Sequence, residues 1–399
     1  MGEVSANSEI TAEVLLERTR ALGARLRERV ANTEASRTLP KETIAEMQEA
    51  GLFRVLQPKR YGGYELSPQA YFDIEMELAR HCPSTAWVYG VVAVHAWQLA
   101  VFAEQAQEEV WGEDTSTLIS SSYMPVGKVT HVDGGFTLSG RWGFSSGSEH
   151  CDWVFLGAFV PPKEEGQAPD MRTFLVPRKD YRIEDTWHVS GLRGTGSHDI
   201  VIDEPVFVPA HRTHRFADGF KCDNPGNAVN PSPLYRIPFG QLFNRSVSTS
   251  SIGMLEGAIE AFIETQSKRV ARGDGRKVAT DPSVLRALAE ARATAHDLRC
   301  VLAANFRDLE AIAARGEIPD LEKRAAYRYD AARVVERCKT QMVELFAAAG
   351  GGAAYESHRL QVFMQALMVA RQHHANNPEK SGLNFGGVSI GNKTTDFFL

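Results

Sequence analysis

The chain has 399 residues, 43% of them hydrophobic and 24% charged, with a formal net charge of −6 at pH 7. That length predicts two or three structural units, and the modest, dispersed acidity excludes a nucleic-acid-binding surface. Five scattered cysteines with no CxxC pair and no His at zinc-like spacing predict reduced thiols and no metal site. No basic-then-apolar leader and no apolar run of about 18 residues is found, so a cytoplasmic protein without a membrane span is expected.

The first unit, residues 1–122, reads as helical. Val14, Leu15, Leu22, Leu26 and Val30 recur at helical spacing, and a second amphipathic stretch runs from Leu39 to Phe53, the pattern of helices with one buried face. Gly51, Pro58 and Gly62–Gly63 punctuate it. The block from Tyr71 to Ala103 is less polar and contains Trp87 and Trp97, which predicts a largely buried helical segment.

Strand texture follows over residues 123–225. GKVTHVDGGFTLSG at 127–140 reads as two strands around an Asp-Gly-Gly turn. CDWVFLGAFV, MRTFLVPRKDY and HDIVIDEPVFVP are short, rich in β-branched or aromatic residues and bounded by Gly or Pro. Residues 222–238, dense in Asn, Pro and Ser, read as loop.

The third unit, 226–399, is helical again, with amphipathic runs at 244–271, 282–315, 320–349 and 355–374 and a break at Gly350–Gly352. Helices, then strands, then helices excludes an alternating βαβ chain. No GxGxxG follows a strand, and GDGRK at 273–277 is not a phosphate loop.

Local motifs match that order. LPKETIAEMQEAGLFRVLQPKRYGG, GLRGTGSHDIVIDEPVFVP at 191–209 and AAAGGGAAYESHRLQ resemble segments of the acyl-CoA dehydrogenase family. The family's fold is an amino-terminal helical domain, a small β-barrel-like domain and a carboxy-terminal four-helix bundle. WVYGVVAVHAWQLAVF, EEVWGED, ISSSYMPVG, GRWGFSSG and HHANNPE resemble one branch of it, the flavin-dependent oxygenases that hydroxylate phenols, on the side of the secosteroid hydroxylases.

That resemblance implies the oxygenase component of a two-component enzyme. Reduced FMN or FAD would diffuse in from a separate NAD(P)H-dependent flavin reductase, react with dioxygen to a C4a-hydroperoxide, and ortho-hydroxylate a phenol to a catechol. It also implies a homotetramer. An FAD-tight acyl-CoA dehydrogenase-like enzyme is the alternative, as is a related oxygenase acting on nitrogen, sulfur or indole. The dehydrogenases' carboxy-terminal Tyr-Glu-Gly is absent; the stretch here reads RQHHANNPE.

The candidate residues follow. Ser146, in WGFSSG, matches the dehydrogenase hydroxyl that meets flavin N5, with Phe144 and Ser145 beside it; a plain Ser-Ser-Gly turn is the bland reading. Ser121, Ser122 and Tyr123 stand where relatives contact the flavin edge. His95 lies in an apolar helix, where a lone His is more often a satisfied core residue; its surroundings favour neutral imidazole, the form able to serve as base or hydrogen-bond partner for a phenol's hydroxyl near pH 7. The hydroxylases place a His at this point. Trp87, two turns upstream of His95, is either a flavin-pocket wall or a core residue. His373 and His374 stand in place of the dehydrogenase carboxylate as holders of hydroperoxide or phenolate, or else cap a helix. Arg269 matches the family's flavin-phosphate Arg, commonly reaching across a subunit boundary, although the ARGDGRKV text after it departs from the FAD-binding segment. Gly351 and Gly352 allow close approach to the flavin, or simply punctuate a helix.

Overall fold

The structure is a computed structural model describing residues 10–162, 164, 166, 170–270, 275 and 277–399. Most of GDGRK and of ARGDGRKV therefore lies outside the described residues. In chain order the helices are α1 (Ala12–Ser36), α2 (Lys41–Glu49), α3 (Pro68–His81), α4 (Pro83–Ala100) and α5 (Glu104–Trp111). The strands follow as β1 (Ile119–Val132), β2 (Gly135–Ser145), β3 (Trp153–Val160), β4 (Asp170–Pro177), β5 (Arg182–Glu184), β6 (His198–Pro209) and β7 (Thr213–Arg215). The remaining helices are α6 (Phe216–Lys221), α7 (Phe239–Ser246), α8 (Ser250–Gln266), α9 (Pro282–Ala314), α10 (Leu321–Ala332), α11 (Val334–Ala349), α12 (Arg359–Ala370) and α13 (Pro378–Ser389).

The apolar block read from Tyr71 to Ala103 is two helices. Pro68 and Pro83 each open a helix at its first position, where a missing N–H costs nothing, and Cys82 sits between them in extended conformation. Every residue of α4 except Ala96 is buried, which explains why it shows no polar stripe. It packs on α3, on α7 and on β1. Gly90 makes the α7 contact possible, since a Cβ there would stand 2.7 Å from the Ser246 carbonyl oxygen.

The sheet runs β5-β6-β2-β1-β3-β4-β7. β1 begins at Ile119, inside the stretch that sequence texture assigned to the helical unit. Its first half pairs parallel with β3 and its second half antiparallel with β2, with a shift of register between Ser122 and Gly127. Such an irregularity bends a strand and re-aims its side chains. β2 carries two shifts against β6, the first between Leu138 and Gly140 and the second between Trp142 and Ser145.

The sheet has its own apolar core around Trp142, Leu156 and Phe174. A third cluster, with Phe102, Trp111 and Phe155, binds it to α4 and α5. The helices α3, α8, α9, α11 and α12 enclose the main core. Two of the long runs expected in the third unit are divided: α7 and α8 break at Val247–Thr249, and α10 and α11 at Arg333. The loop expected at 222–238 contains two 3-10 turns, Pro225–Ala228 and Pro233–Arg236, the first closed by reciprocal Asn224 and Asn227 bonds. Among the described residues no helix is long and apolar enough to cross a membrane.

Candidate active site

A cavity of about 670 Å³ lies where α4, the bent halves of β1 and β2, the turn before β6 and the carboxy-terminal segments meet. That volume suits a planar cofactor or a drug-sized ligand. α4 presents Trp87 and Val91 to it, one turn apart. β1 contributes Ser121, Ser122 and Tyr123 at its register shift. The second irregularity contributes Phe144 and Ser146. Phe144 has φ +65°, a left-handed conformation that costs a bulky residue on the order of 1–3 kcal/mol. That kink puts Phe144 and Ser146 on the same side, while the intervening Ser145 turns into the interior and is fully buried.

Ser146 sits at the centre of a chain of hydroxyls. Its Oγ accepts from Trp87 Nε1 at 3.2 Å and lies 2.7 Å from Ser197 Oγ, which lies 2.6 Å from Thr195 Oγ1. Thr195 Oγ1 in turn donates to the Leu192 carbonyl at 2.9 Å. Ser122 Oγ donates to the Gly143 carbonyl at 2.7 Å and so ties the two bent strands together. Gly147 follows Ser146 with φ +70°, and a Cβ there would approach Val88 to 2.8 Å.

Two imidazoles flank this wall in opposite tautomers. His373 lines the cavity edge-on to Trp87, ring centroids 5.8 Å apart. Its Nδ1 accepts the Ala375 backbone N–H at 3.2 Å, so in the neutral ring the proton resides on Nε2. Burial, with His374 and Arg328 close by, holds this ring neutral, its pKa down to about 4. His95 has the reverse arrangement. Its Nδ1–H donates to the Ile119 carbonyl at 2.6 Å, leaving Nε2 as a bare acceptor that is buried without a partner. Burial lowers its pKa to about 4 as well. His95 is fully buried and does not line the cavity. It stands one turn beyond Val91 on the stripe of α4 that carries Trp87, and its ring packs edge-on against the cavity residue Tyr123 at 6.3 Å. Tyr123 donates its own hydroxyl to Gln98 Oε1, and burial raises its pKa.

His374 lies at the mouth, exposed, with Lys380 Nζ 3.3 Å from its Nε2. Arg269, Gly351 and Gly352 are elsewhere. Arg269 donates to the Ala349 carbonyl and to Gln266 Oε1 at the end of the helical bundle, against Gly350. Gly351 and Gly352 are exposed there with nothing within 4 Å of a would-be Cβ.

Several wall residues were not singled out in the sequence. Trp187 packs edge-on against Phe144 at 6.0 Å. Thr195 and Ser197 belong to the GLRGTGS turn, whose hydroxyls could have been counted. Arg328, from α10, donates to the Ala375 carbonyl at 2.8 Å and lies 3.5 Å from Asp396, and so holds the turn that carries His373. Phe398 closes one end against Tyr123, Phe239 and Phe243.

The chain's relatives agree with this architecture. The acyl-CoA dehydrogenase N-terminal domain family matches residues 11–117, and the acyl-CoA dehydrogenase C-terminal domain family matches 246–378. The chain is 39% identical to the oxygenase subunit HsaA of a flavin-dependent monooxygenase from Rhodococcus jostii, over 96% of this chain and 99% of that one. It is 35% identical to the oxygenase component of an FADH2-dependent resorcinol hydroxylase from Rhizobium, over 75% of this chain and 73% of that one. The crystal structure of 3-HSA hydroxylase from Rhodococcus sp. RHA1 superposes with a TM-score of 0.92 at 39% identity, covering 97% of this chain and 99% of its own. With the cavity, its hydroxyl wall and these relatives in agreement, the chain belongs to the acyl-CoA dehydrogenase fold family, among the oxygenase components of aromatic hydroxylases that depend on reduced flavin.

Proposed function

We propose that the chain hydroxylates a phenol, of the secosteroid kind, ortho to its hydroxyl to give a catechol, using reduced FMN or FAD that diffuses in from a separate NAD(P)H-dependent flavin reductase. The substrate class follows the relatives, among them the 3-HSA hydroxylase, and a cavity of about 670 Å³ has room beside a flavin ring for more than a small phenol. Bound reduced flavin would supply the activation of dioxygen, one oxygen atom going to the ring and the other to water.

The observation that carries this reading is the pair of oppositely wired imidazoles around the hydroxyl wall. His95 offers an unpaired lone pair, suited to accept a hydrogen bond from the phenol's hydroxyl and so enrich the ring in electrons. Its Nε2 is an orphaned buried acceptor, a costly feature that a substrate hydroxyl would relieve; Tyr123 must yield for the two to meet. His373 offers an N–H instead, suited to hold an oxygen atom near the flavin. Ser146 would meet flavin N5, Trp87 and Phe144 would wall the isoalloxazine, and Ser121, Ser122 and Tyr123 would face its polar edge. The apolar remainder excludes water.

Arg269 with Gly351 and Gly352 would serve the flavin phosphate of a neighbouring subunit in a homotetramer; the exposure of the two glycines at the bundle end leaves room for that approach. A dehydrogenase reading needs a free carboxylate base. Asp396, on the cavity wall, has one oxygen on the Phe398 backbone N–H at 2.9 Å and the other 3.5 Å from Arg328.

The test is turnover with a flavin reductase, NADH, dioxygen and FMN or FAD, against a single-ring phenol and a phenolic secosteroid. The expected result is a catechol from the secosteroid, formed faster than from the small phenol. Hydrogen peroxide with no hydroxylated product from any phenol would overturn the reading.

A further inference from the structure

The hydroxyl chain behind Ser146 has a direction, and direction decides which oxidation state of a flavin it favours. A carbonyl oxygen can only accept, so the Thr195 hydroxyl proton goes to Leu192. The Thr195 oxygen therefore accepts from Ser197, and the Ser197 oxygen accepts from Ser146. At the open end the Trp87 indole N–H, which can only donate, occupies one lone pair of Ser146. Ser146, on the cavity wall, has then spent its single proton and keeps one lone pair.

We infer that Ser197 and Thr195 are positioning residues that preset Ser146 as a hydrogen-bond acceptor, and so select reduced over oxidised flavin. The inference rests on the reading that Ser146 meets flavin N5. Reduced flavin carries a proton on N5 and needs an acceptor; oxidised flavin has a bare N5 and needs a donor. To serve the oxidised form, either Ser146 alone turns and gives up its bond to Ser197, or all three hydroxyls turn and the Thr195–Leu192 bond is lost. The Leu192 carbonyl would keep the Trp187 indole and the Thr195 backbone N–H, so the reversed chain is one hydrogen bond poorer without being forbidden. One net hydrogen bond corresponds to roughly a two- to tenfold preference in affinity. An oxygenase component that borrows its flavin gains from this bias, because spent flavin leaves and fresh reduced flavin replaces it.

The experiment is anaerobic equilibrium binding of oxidised and dithionite-reduced FMN and FAD to the intact protein, read by flavin fluorescence and by ultrafiltration. The quantity compared is the ratio of oxidised to reduced Kd. Ser197→Ala and, independently, Thr195→Val are expected to lower that ratio by roughly two- to tenfold, mainly through tighter binding of the oxidised form. Ser197→Thr, which keeps the hydroxyl, should restore it. A merely structural role would weaken both forms alike and leave the ratio unchanged. If Ser146→Ala shifts the ratio but neither Ser197→Ala nor Thr195→Val does, the relay is wrong and Ser146 keeps its place at N5. If Ser146→Ala changes neither Kd, Ser146 does not meet N5 and both ideas fall together. Thr195→Val answers the question even where Ser197→Ala folds poorly.

Discussion

Replacing His95 with Asn tests the account at its most exposed point. Asn retains an N–H able to reach the Ile119 carbonyl but carries neither a titrating proton nor the bare Nε2 acceptor. The folded pKa of His95 lies at about 4, against 6.5 for the unperturbed ring, because burial penalises the cation. Below pH 6.5 the unfolded chain therefore takes up a proton that the folded chain refuses. Stability from this group is complete above that value and is lost as pH falls toward 4. A shift of this size corresponds to roughly 3 kcal/mol over the whole window and about 2 kcal/mol between about pH 7.5 and pH 5. Urea midpoints of parent and Asn variant at those two pH values read it directly. The parent should lose about 2 kcal/mol more than the variant, with other titrating groups cancelling between them. In turnover, loss of the hydrogen-bond acceptor for the phenol should lower hydroxylation by roughly tenfold or more. Parallel stability curves would show that His95 is not held neutral by burial. Unchanged hydroxylation would make it a packed core residue and remove it from the chemistry.

Three further outcomes are expected. His373→Phe should divert dioxygen to hydrogen peroxide, whereas His373→Gln, which places an amide N–H near the Nε2 position, should keep part of the coupling between flavin oxidation and product; both are read as product per flavin oxidised. Since His373 stays neutral down to about pH 4, that coupling should not titrate between about pH 6 and pH 8 through this residue. Gly147→Ala should destabilise the protein by about 1–3 kcal/mol, because φ is +70° and the new Cβ would meet Val88, a loss measurable as a lower urea midpoint. Arg328→Met should cost about 2–3 kcal/mol and weaken flavin binding, since it frees the turn that carries His373 and leaves Asp396 without its cation.

The order of helical, strand and helical units was legible because each texture is a local property of ten to twenty residues. The buried character of α4 was legible for the same reason: a segment with almost no polar residue must be covered on all sides. Its division from α3 at Cys82 was signalled by Pro83, which the apolar run concealed. The site was less legible. Trp87 and Ser146 are 59 positions apart, and nothing local says that an indole will meet that hydroxyl. Ser145 and Ser146 are indistinguishable as text; the left-handed Phe144 and the shifted pairing with β6 decide which one faces the cavity. Arg328 and Phe398 arrive from distant helices and the tail, where their neighbours follow no motif. The tautomers of His95 and His373 are set by a carbonyl in one case and a backbone N–H in the other, partners that only tertiary structure supplies.

The most direct test of the central claim is a single turnover with isotopically labelled dioxygen. The protein is loaded anaerobically with one equivalent of reduced flavin and a phenolic secosteroid, exposed to the labelled gas without any reductase, and the product analysed by mass spectrometry. The account predicts a catechol bearing one labelled oxygen atom, in an amount approaching that of the flavin supplied. Oxidised flavin with stoichiometric hydrogen peroxide and unaltered phenol, repeated across phenols of different size, would contradict it.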